Sequence, residues 1–230
     1  MYPHLKKALW LALAFILLIT ACKKDPSLTV NGNVSSATFL AHGGRPFTFN
    51  YSYDAQGRIT GVQRTNGTSE SYRYAGNQAF AYRYDSAATV AHDTTAFSLN
   101  AMGFAISDDD GSTYTYDNDG HPLVTSDITG TYNQTYTWTN DNVSTFSMSG
   151  GGSTINHQFT YYSNPEYRRI INSLMGKGNK NLIHTDTYVS NGLTRLITHS
   201  YNYDTQGRVS LDITTDNDTP PNIDTMVYTY

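Results

Sequence analysis

The 230 residues carry 15 basic and 19 acidic side chains, 19 tyrosines and a single cysteine, and charged residues make up only 15%. That content, well under the roughly 25% usual for soluble domains, argues against a solvent-exposed helical bundle, and the acidic balance argues against a basic nucleic-acid binder. The lone cysteine excludes a disulfide framework and any Cys-based zinc cluster. Only Glu70 and Glu166 are glutamates; the other acids are Asp, which favours turns and caps over helix interiors, so helix is expected to be scarce.

Residues 1–21 read as an export signal. Lys6 and Lys7 supply a positive start, and Ala8 to Ile19 form an apolar core shorter than the about 20 residues a membrane span needs. Ile19-Thr20-Ala21-Cys22 resembles a lipobox, in which Cys22 is acylated and becomes the first residue of the mature chain. An ordinary signal peptide containing a cysteine is the plainer alternative; position, spacing and uniqueness favour lipidation. Lys23-Lys24-Asp25 then resembles the surface-export signal of Bacteroidota lipoproteins. The expected partner is a membrane, held through the lipid on Cys22. The expected location is the outer membrane, facing the cell surface, with the periplasmic face as alternative. Residues 22–33 form the lipidated cysteine and tether, and residues 34–230 a single antiparallel β domain. Without residues 1–21 the chain is more acidic still, so no nucleic acid is expected as partner.

Alternation with period two dominates the β domain. Phe47, Phe49, Tyr51 and Tyr53 share one face, with Thr48, Asn50 and Ser52 on the other. Tyr72 and Tyr74, then Phe80, Tyr82 and Tyr84, continue the scheme, as do Tyr132, Tyr136 and Trp138, then Phe159 and Tyr161. Between these runs lie turn signals such as Asn66-Gly67, Ala75-Gly76-Asn77, Asn140-Asp141-Asn142 and Asn191-Gly192, which suit hairpins needing positive φ. The reading is all-β: an antiparallel meander of about fourteen short strands in a strongly curved or barrel-like sheet. Gly150-Gly151-Gly152 reads as a flexible break between strands. One short helix is expected near 165–175. Asn164 would cap it, Pro165 would open it, Tyr167, Ile170, Ile171, Leu174 and Met175 would form its apolar stripe, and Gly176 would end it.

Three places share a finer pattern. Tyr51-Ser-Tyr53-Asp54-Ala-Gln-Gly57-Arg58-Ile59 matches Tyr201-Asn-Tyr203-Asp204-Thr-Gln-Gly207-Arg208-Val209, and Tyr114-Thr-Tyr116-Asp117-Asn-Asp-Gly120-His121 is a weaker copy. The physics predicts a bulged hairpin. Asp54, Asp117 and Asp204 open the turns by accepting backbone hydrogen bonds, and Gly57, Gly120 and Gly207 take the left-handed position that closes them. The copies resemble the YD repeats of rearrangement-hotspot proteins, although their spacing is longer than a strict tandem repeat.

A longer series, from lipobox through the Tyr-Asp hairpins, Tyr136 to Val143, Tyr161-Tyr162, and Gly176 to Leu182, resembles a family of Bacteroidota lipoprotein domains of unknown function with a porin-like fold. The resemblance implies a barrel-like antiparallel sheet and brings no catalytic residues. A barrel of that shape need not cross a membrane. Spanning strands need about 9–11 residues and an apolar outer band, and most runs here are shorter and rich in Thr, Ser and Asn.

Tests for chemistry return little. His42, His92, His121, His157, His184 and His199 show no close zinc spacing, the Asp108–Asp119 acids lack the pattern and closing Glu of a calcium loop, and no metal or cofactor is expected. There is no Gly-x-Ser-x-Gly elbow, no nucleophilic cysteine once Cys22 is acylated, and no carboxylate pair stands out. An enzyme is not expected. Asp85-Ser86-Ala87, Asp93-Thr94-Thr95 and Asp224-Thr225-Met226 fit a short O-glycosylation pattern known in Bacteroidota. The leading expectation is a non-catalytic binding or structural module with a glycan or protein ligand. The alternative is a glycan-binding accessory using exposed aromatics such as Trp138 for stacking; a carboxylate-dependent hydrolase stands behind both. An aromatic stripe in a concave groove favours the glycan, and Asp and His converging in a deep pocket favours the hydrolase.

Overall fold

The computed structural model describes residues 32–86, 90–165 and 173–230. Sixteen antiparallel strands follow one another around a closed barrel, each paired with its sequence neighbours, and the first pairs with the last. They are β1 (Ser36–Leu40), β2 (Phe47–Tyr53), β3 (Ile59–Arg64), β4 (Ser69–Ala75), β5 (Gln78–Tyr84), β6 (Asp93–Leu99), β7 (Ala105–Asp108) and β8 (Thr113–Tyr116). The second half comprises β9 (Pro122–Ser126), β10 (Asn133–Thr139), β11 (Asn142–Gly150), β12 (Ser153–Pro165), β13 (Asn181–Ser190), β14 (Leu193–Tyr203), β15 (Val209–Asp216) and β16 (Ile223–Thr229). The expected barrel-like meander is present, with two strands more than the turn signals indicated. The short strand β7 and the seam strand β1 carry the weakest alternation.

The expected helix is not built as read. Asn164 and Pro165, its cap and first turn, are the last residues of β12. Pro165 is tolerated there because a strand terminus loses no interior ladder bond. Within the described residues the segment yields only a short 3-10 turn, Ser173–Met175. Tyr167, Ile170 and Ile171 lie outside the described residues.

Alternation sorts the wall into two faces. Register places Phe49, Tyr51, Val62, Glu70, Tyr72, Ala81, Thr95 and Phe97 on the inside, and the Thr and Ser residues between them on the outside. Strand β5 departs from the expected scheme. Its inner face carries Ala79 and Ala81, 0% and 3% exposed, and Phe80, Tyr82 and Tyr84 point outward. The small inner residues make room for Leu174, which is wholly buried against Ala79, Ala81, Phe97, Leu99 and Ala105.

Because strands alternate in direction, every turn after an even-numbered strand lies at one end of the barrel. That end holds all three Tyr-Asp-x-x-Gly turns, the chain's entry at Val34, the C-terminal Tyr230, and the connection from β12 to β13. The four largest fully buried side chains, Leu174, Leu182, Val34 and Val209, all lie there. Residues 173–181 cross it as a strap. Leu174 docks on the β5–β7 wall, the Lys177 amide donates to Gly120 O at 2.9 Å, the Lys180 amide to Asp141 O at 2.9 Å, and the Asn181 amide to Asn142 Oδ1 at 2.8 Å. This end is packed.

The opposite end is built of short turns such as Gly151-Gly152 and Asn191-Gly192, both closed by positive φ. Sixteen tilted strands close into a ring on the order of 30 Å across. Extensive contacts link only barrel neighbours, so opposite walls do not collapse onto each other. The end that carries these turns is the mouth of the barrel.

Candidate functional site

The inner wall between mouth and packed end concentrates aromatic and ionisable groups. On β10 to β13, Tyr136 and Phe146 lie 4.9 Å apart between ring centroids, Phe146 and His157 5.5 Å, His157 and Phe159 5.8 Å, and His157 and Tyr188 5.2 Å. Register explains the run, because Tyr136 pairs with Phe146, Phe146 with His157, and His157 with Tyr188. All five rings are half-buried. Beside them a cavity of about 230 Å³ opens between Tyr114, Tyr116, Gln134, Tyr136 and Met175, where the strap meets the wall.

Two His-Asp pairs occupy the same wall. His157 Nδ1 meets Asp186 at 2.9 Å, and His199 Nδ1 meets Asp212 at 3.2 Å. Each Nδ1 donates to its carboxylate, which fixes the ring and turns Nε2 away. Sequence reading passed over these pairs. The available signal was the repeated His-x-aromatic on an even strand, His157-Gln-Phe159 and His199-Ser-Tyr201, but the matching Asp is set by register.

Nearer the mouth the charges are paired. Arg64 bonds Glu70 at 2.7 Å, with Tyr72 OH on the same carboxylate at 2.5 Å. Arg83 pairs with Asp93. Arg195 bonds Asp218 at 2.8 Å and lies 3.8 Å from Asp216. Burial pushes the Glu70 carboxyl up, but Tyr72 and Arg64 outweigh it and hold it below the usual range.

The turn residues share one geometry. Asp54 Oδ1 accepts the amides of Gln56 and Arg58 at 3.0 and 2.9 Å while Oδ2 binds the Arg58 guanidinium at 2.7 Å; Asp204 repeats this with Gln206 and Arg208. At Asp117 the amides come from Asp119 and His121, and His121 Nδ1 takes the guanidinium's place at 2.9 Å. Gly57, Gly120 and Gly207 all have positive φ. Asp117, Asp119 and His121 also bring three ligand-type atoms within 4.8 Å of one another. The hydrogen bonds that build the turn account for that proximity, since Asp117 spends both oxygens on them. Trp138 lies at this packed end: its Nε1 donates to Pro122 O at 2.7 Å and its ring stacks on His121 at 4.4 Å, so one face is taken. Cys22, Lys23, Lys24 and Asp25 lie outside the described residues.

The turns belong to a larger device. At the packed end Tyr53, Tyr74, Tyr116, Tyr161, Tyr201 and Tyr230 each donate a hydroxyl to a backbone carbonyl at the start of the preceding strand: Val34, Ile59, Ala105, Val143, Ile183 and Val209. Trp138 does the same to Pro122 with its indole nitrogen. Seven of the eight even-numbered strands, or the residue ending them, carry this tie; β6 does not.

A solved structure agrees with this architecture. A porin-like protein from Bacteroides uniformis matches 85% of this chain and 97% of its own, with a TM-score of 0.63 and 17% identity. At that identity the likeness concerns the fold. The chain has a porin-like β-barrel fold. No family model matches the chain, and no curated protein matches it.

Proposed function

We propose that the chain is a lipid-anchored, non-catalytic binding barrel of the outer membrane, held through Cys22 and displayed at the cell surface by Lys23, Lys24 and Asp25. The observation that carries this reading is the inner wall, lined by half-buried rings and paired charges, with the largest fully buried side chains gathered at one end. The Thr and Ser of the outer face, and strands as short as the four residues of β7 and β8, suit water better than lipid. The porin-like fold supports an outer-membrane setting.

Two measurements test the reading. Palmitate labelling is expected in the wild type and absent from Cys22→Ala, and equal labelling would refute the anchor. In the acylated protein a new thiol at Thr125→Cys, on the inner wall opposite Gln134, is expected to react with a small maleimide without denaturant. Its protection would refute the open lumen.

A further inference from the structure

The aromatic run on β10 to β13 combines three properties that a packed core does not need. Its rings form an unbroken series of neighbours, they remain half-exposed inside a barrel, and the ionic groups beside them are already neutralised within the wall. Asp186 is held by His157, and Arg195, which pairs with Tyr188 across β13 and β14, is held by Asp218. The surface therefore offers ring faces bordered by neutral donors and acceptors. Gln134 joins the Tyr136 hydroxyl at 2.9 Å, and the Tyr188 hydroxyl makes no hydrogen bond among the described residues.

We propose that Tyr136, Phe146, His157 and Tyr188 form a stacking platform for a neutral oligosaccharide that enters through the mouth. A pyranose ring presents a C–H face to an aromatic ring and a rim of hydroxyls to its surroundings, and an amphipathic wall of this kind complements both. An acidic saccharide would need an unpaired cation, and the arginines Arg64, Arg83 and Arg195 are committed to carboxylates. An acyl chain would leave His157 Nε2 and the Tyr188 hydroxyl dehydrated without partners. The proposal rests on the reading of the barrel as a binding module with an open lumen.

The test is calorimetric titration of the full chain in lauryldimethylamine oxide with maltoheptaose, cellohexaose, mannohexaose and xylohexaose. At least one is expected to bind, and Phe146→Ala and Tyr188→Ala are each expected to weaken it about tenfold, equivalent to 1.4 kcal/mol. Phe47→Ala, on the β2 wall, is expected to bind as the wild type. Thermal melts establish that each variant is folded, and if Phe146→Ala does not fold, Tyr188→Phe serves in its place and is expected to weaken binding through loss of the hydroxyl. Binding to none of the four sugars, or undiminished binding by folded Phe146→Ala and Tyr188→Ala, overturns the proposal. If the Thr125→Cys thiol still reacts in that case, the saccharide platform fails and the open lumen stands; if it does not react, both fail.

Discussion

His157 Nδ1 lies 2.9 Å from both carboxylate oxygens of Asp186, and the relationship is repeated two strands away by His199 and Asp212. In each case Asp pairs across the ladder with the aromatic residue two places after His, Phe159 or Tyr201, and that ring stacks on the imidazole. Removing one partner strands the other on a half-buried wall. Asp212→Ala is expected to cost about 1–3 kcal/mol, and Asp186→Ala less. The order follows burial: the Asp212 side chain is 8% exposed and Asp186 13%. Urea midpoints measure both, and a cycle with His157→Ala should return a favourable coupling for the Asp186 pair. Additive losses would show that the contact contributes nothing.

The tyrosine ties make a prediction at alkaline pH. Burial pushes the Tyr53 and Tyr116 hydroxyls up to about 12, as each donates to a carbonyl, of Val34 and Ala105 respectively. A folded-state value above the ordinary 10 means that stability is complete below pH 10 and is lost as pH climbs from 10 towards 12. Tyr53→Phe is expected to cost about 1 kcal/mol at neutral pH and to flatten the alkaline decline. Denaturant midpoints at pH 8 and pH 11 check this. An unchanged slope in Tyr53→Phe would assign the decline to other groups.

These ties also show how much of the molecule could be read from its residues. Period-two alternation gave the curved sheet, because inner rings and outer Thr and Ser differ in type along each strand. Three Tyr-Asp turns were visible because Asp and Gly occupy conformations few residues tolerate. The remaining ties were hidden because a hydroxyl-to-carbonyl bond constrains only the donor, and Trp138 can replace Tyr. Leu174 and Met175 mimicked helical spacing, yet their partners lie on distant strands. Likewise, nothing local distinguishes the outward Phe80 from the inward Phe97; Ala79 and Ala81 on the opposite face settle it.

At low pH the Tyr-Asp turns should weaken together. Burial raises the Asp54, Asp117 and Asp204 carboxyls, but amide and side-chain donors together outweigh it and hold all three below the ordinary value. Their contribution is therefore present above about pH 4 and is lost as pH falls through the lower folded-state values. Asp204→Asn keeps an acceptor for the amides of Gln206 and Arg208 but cannot take up the proton. The variant is expected to be less stable at pH 7, and its acid unfolding curve should be shallower than that of the wild type. A parallel curve would remove Asp204 from the acid response.

The strap offers the sharpest steric test, because Gly120, Gly176 and Gly207 share a left-handed backbone but not the same surroundings. A Cβ at Gly207 would meet nothing within 4 Å, so Gly207→Ala should cost only the conformational penalty of about 1–2 kcal/mol. At Gly120 a Cβ would lie 2.6 Å from Phe104 Cε2, an aromatic edge that can tilt at some expense. At Gly176 it would lie 2.7 Å from Tyr116 Cε1 and 2.9 Å from the backbone oxygen of Gly120, the same oxygen that receives the Lys177 amide. That oxygen cannot move without opening the turn. Gly176→Ala is therefore expected to be the most damaging of the three, lifting the strap while the barrel stays closed. Hydrogen exchange reads this directly: the Lys177 amide should lose protection, and the amides pairing β14 with β15 should keep theirs. Equal protection of Lys177 in Gly176→Ala and Gly207→Ala would mean that the strap is not held by this contact.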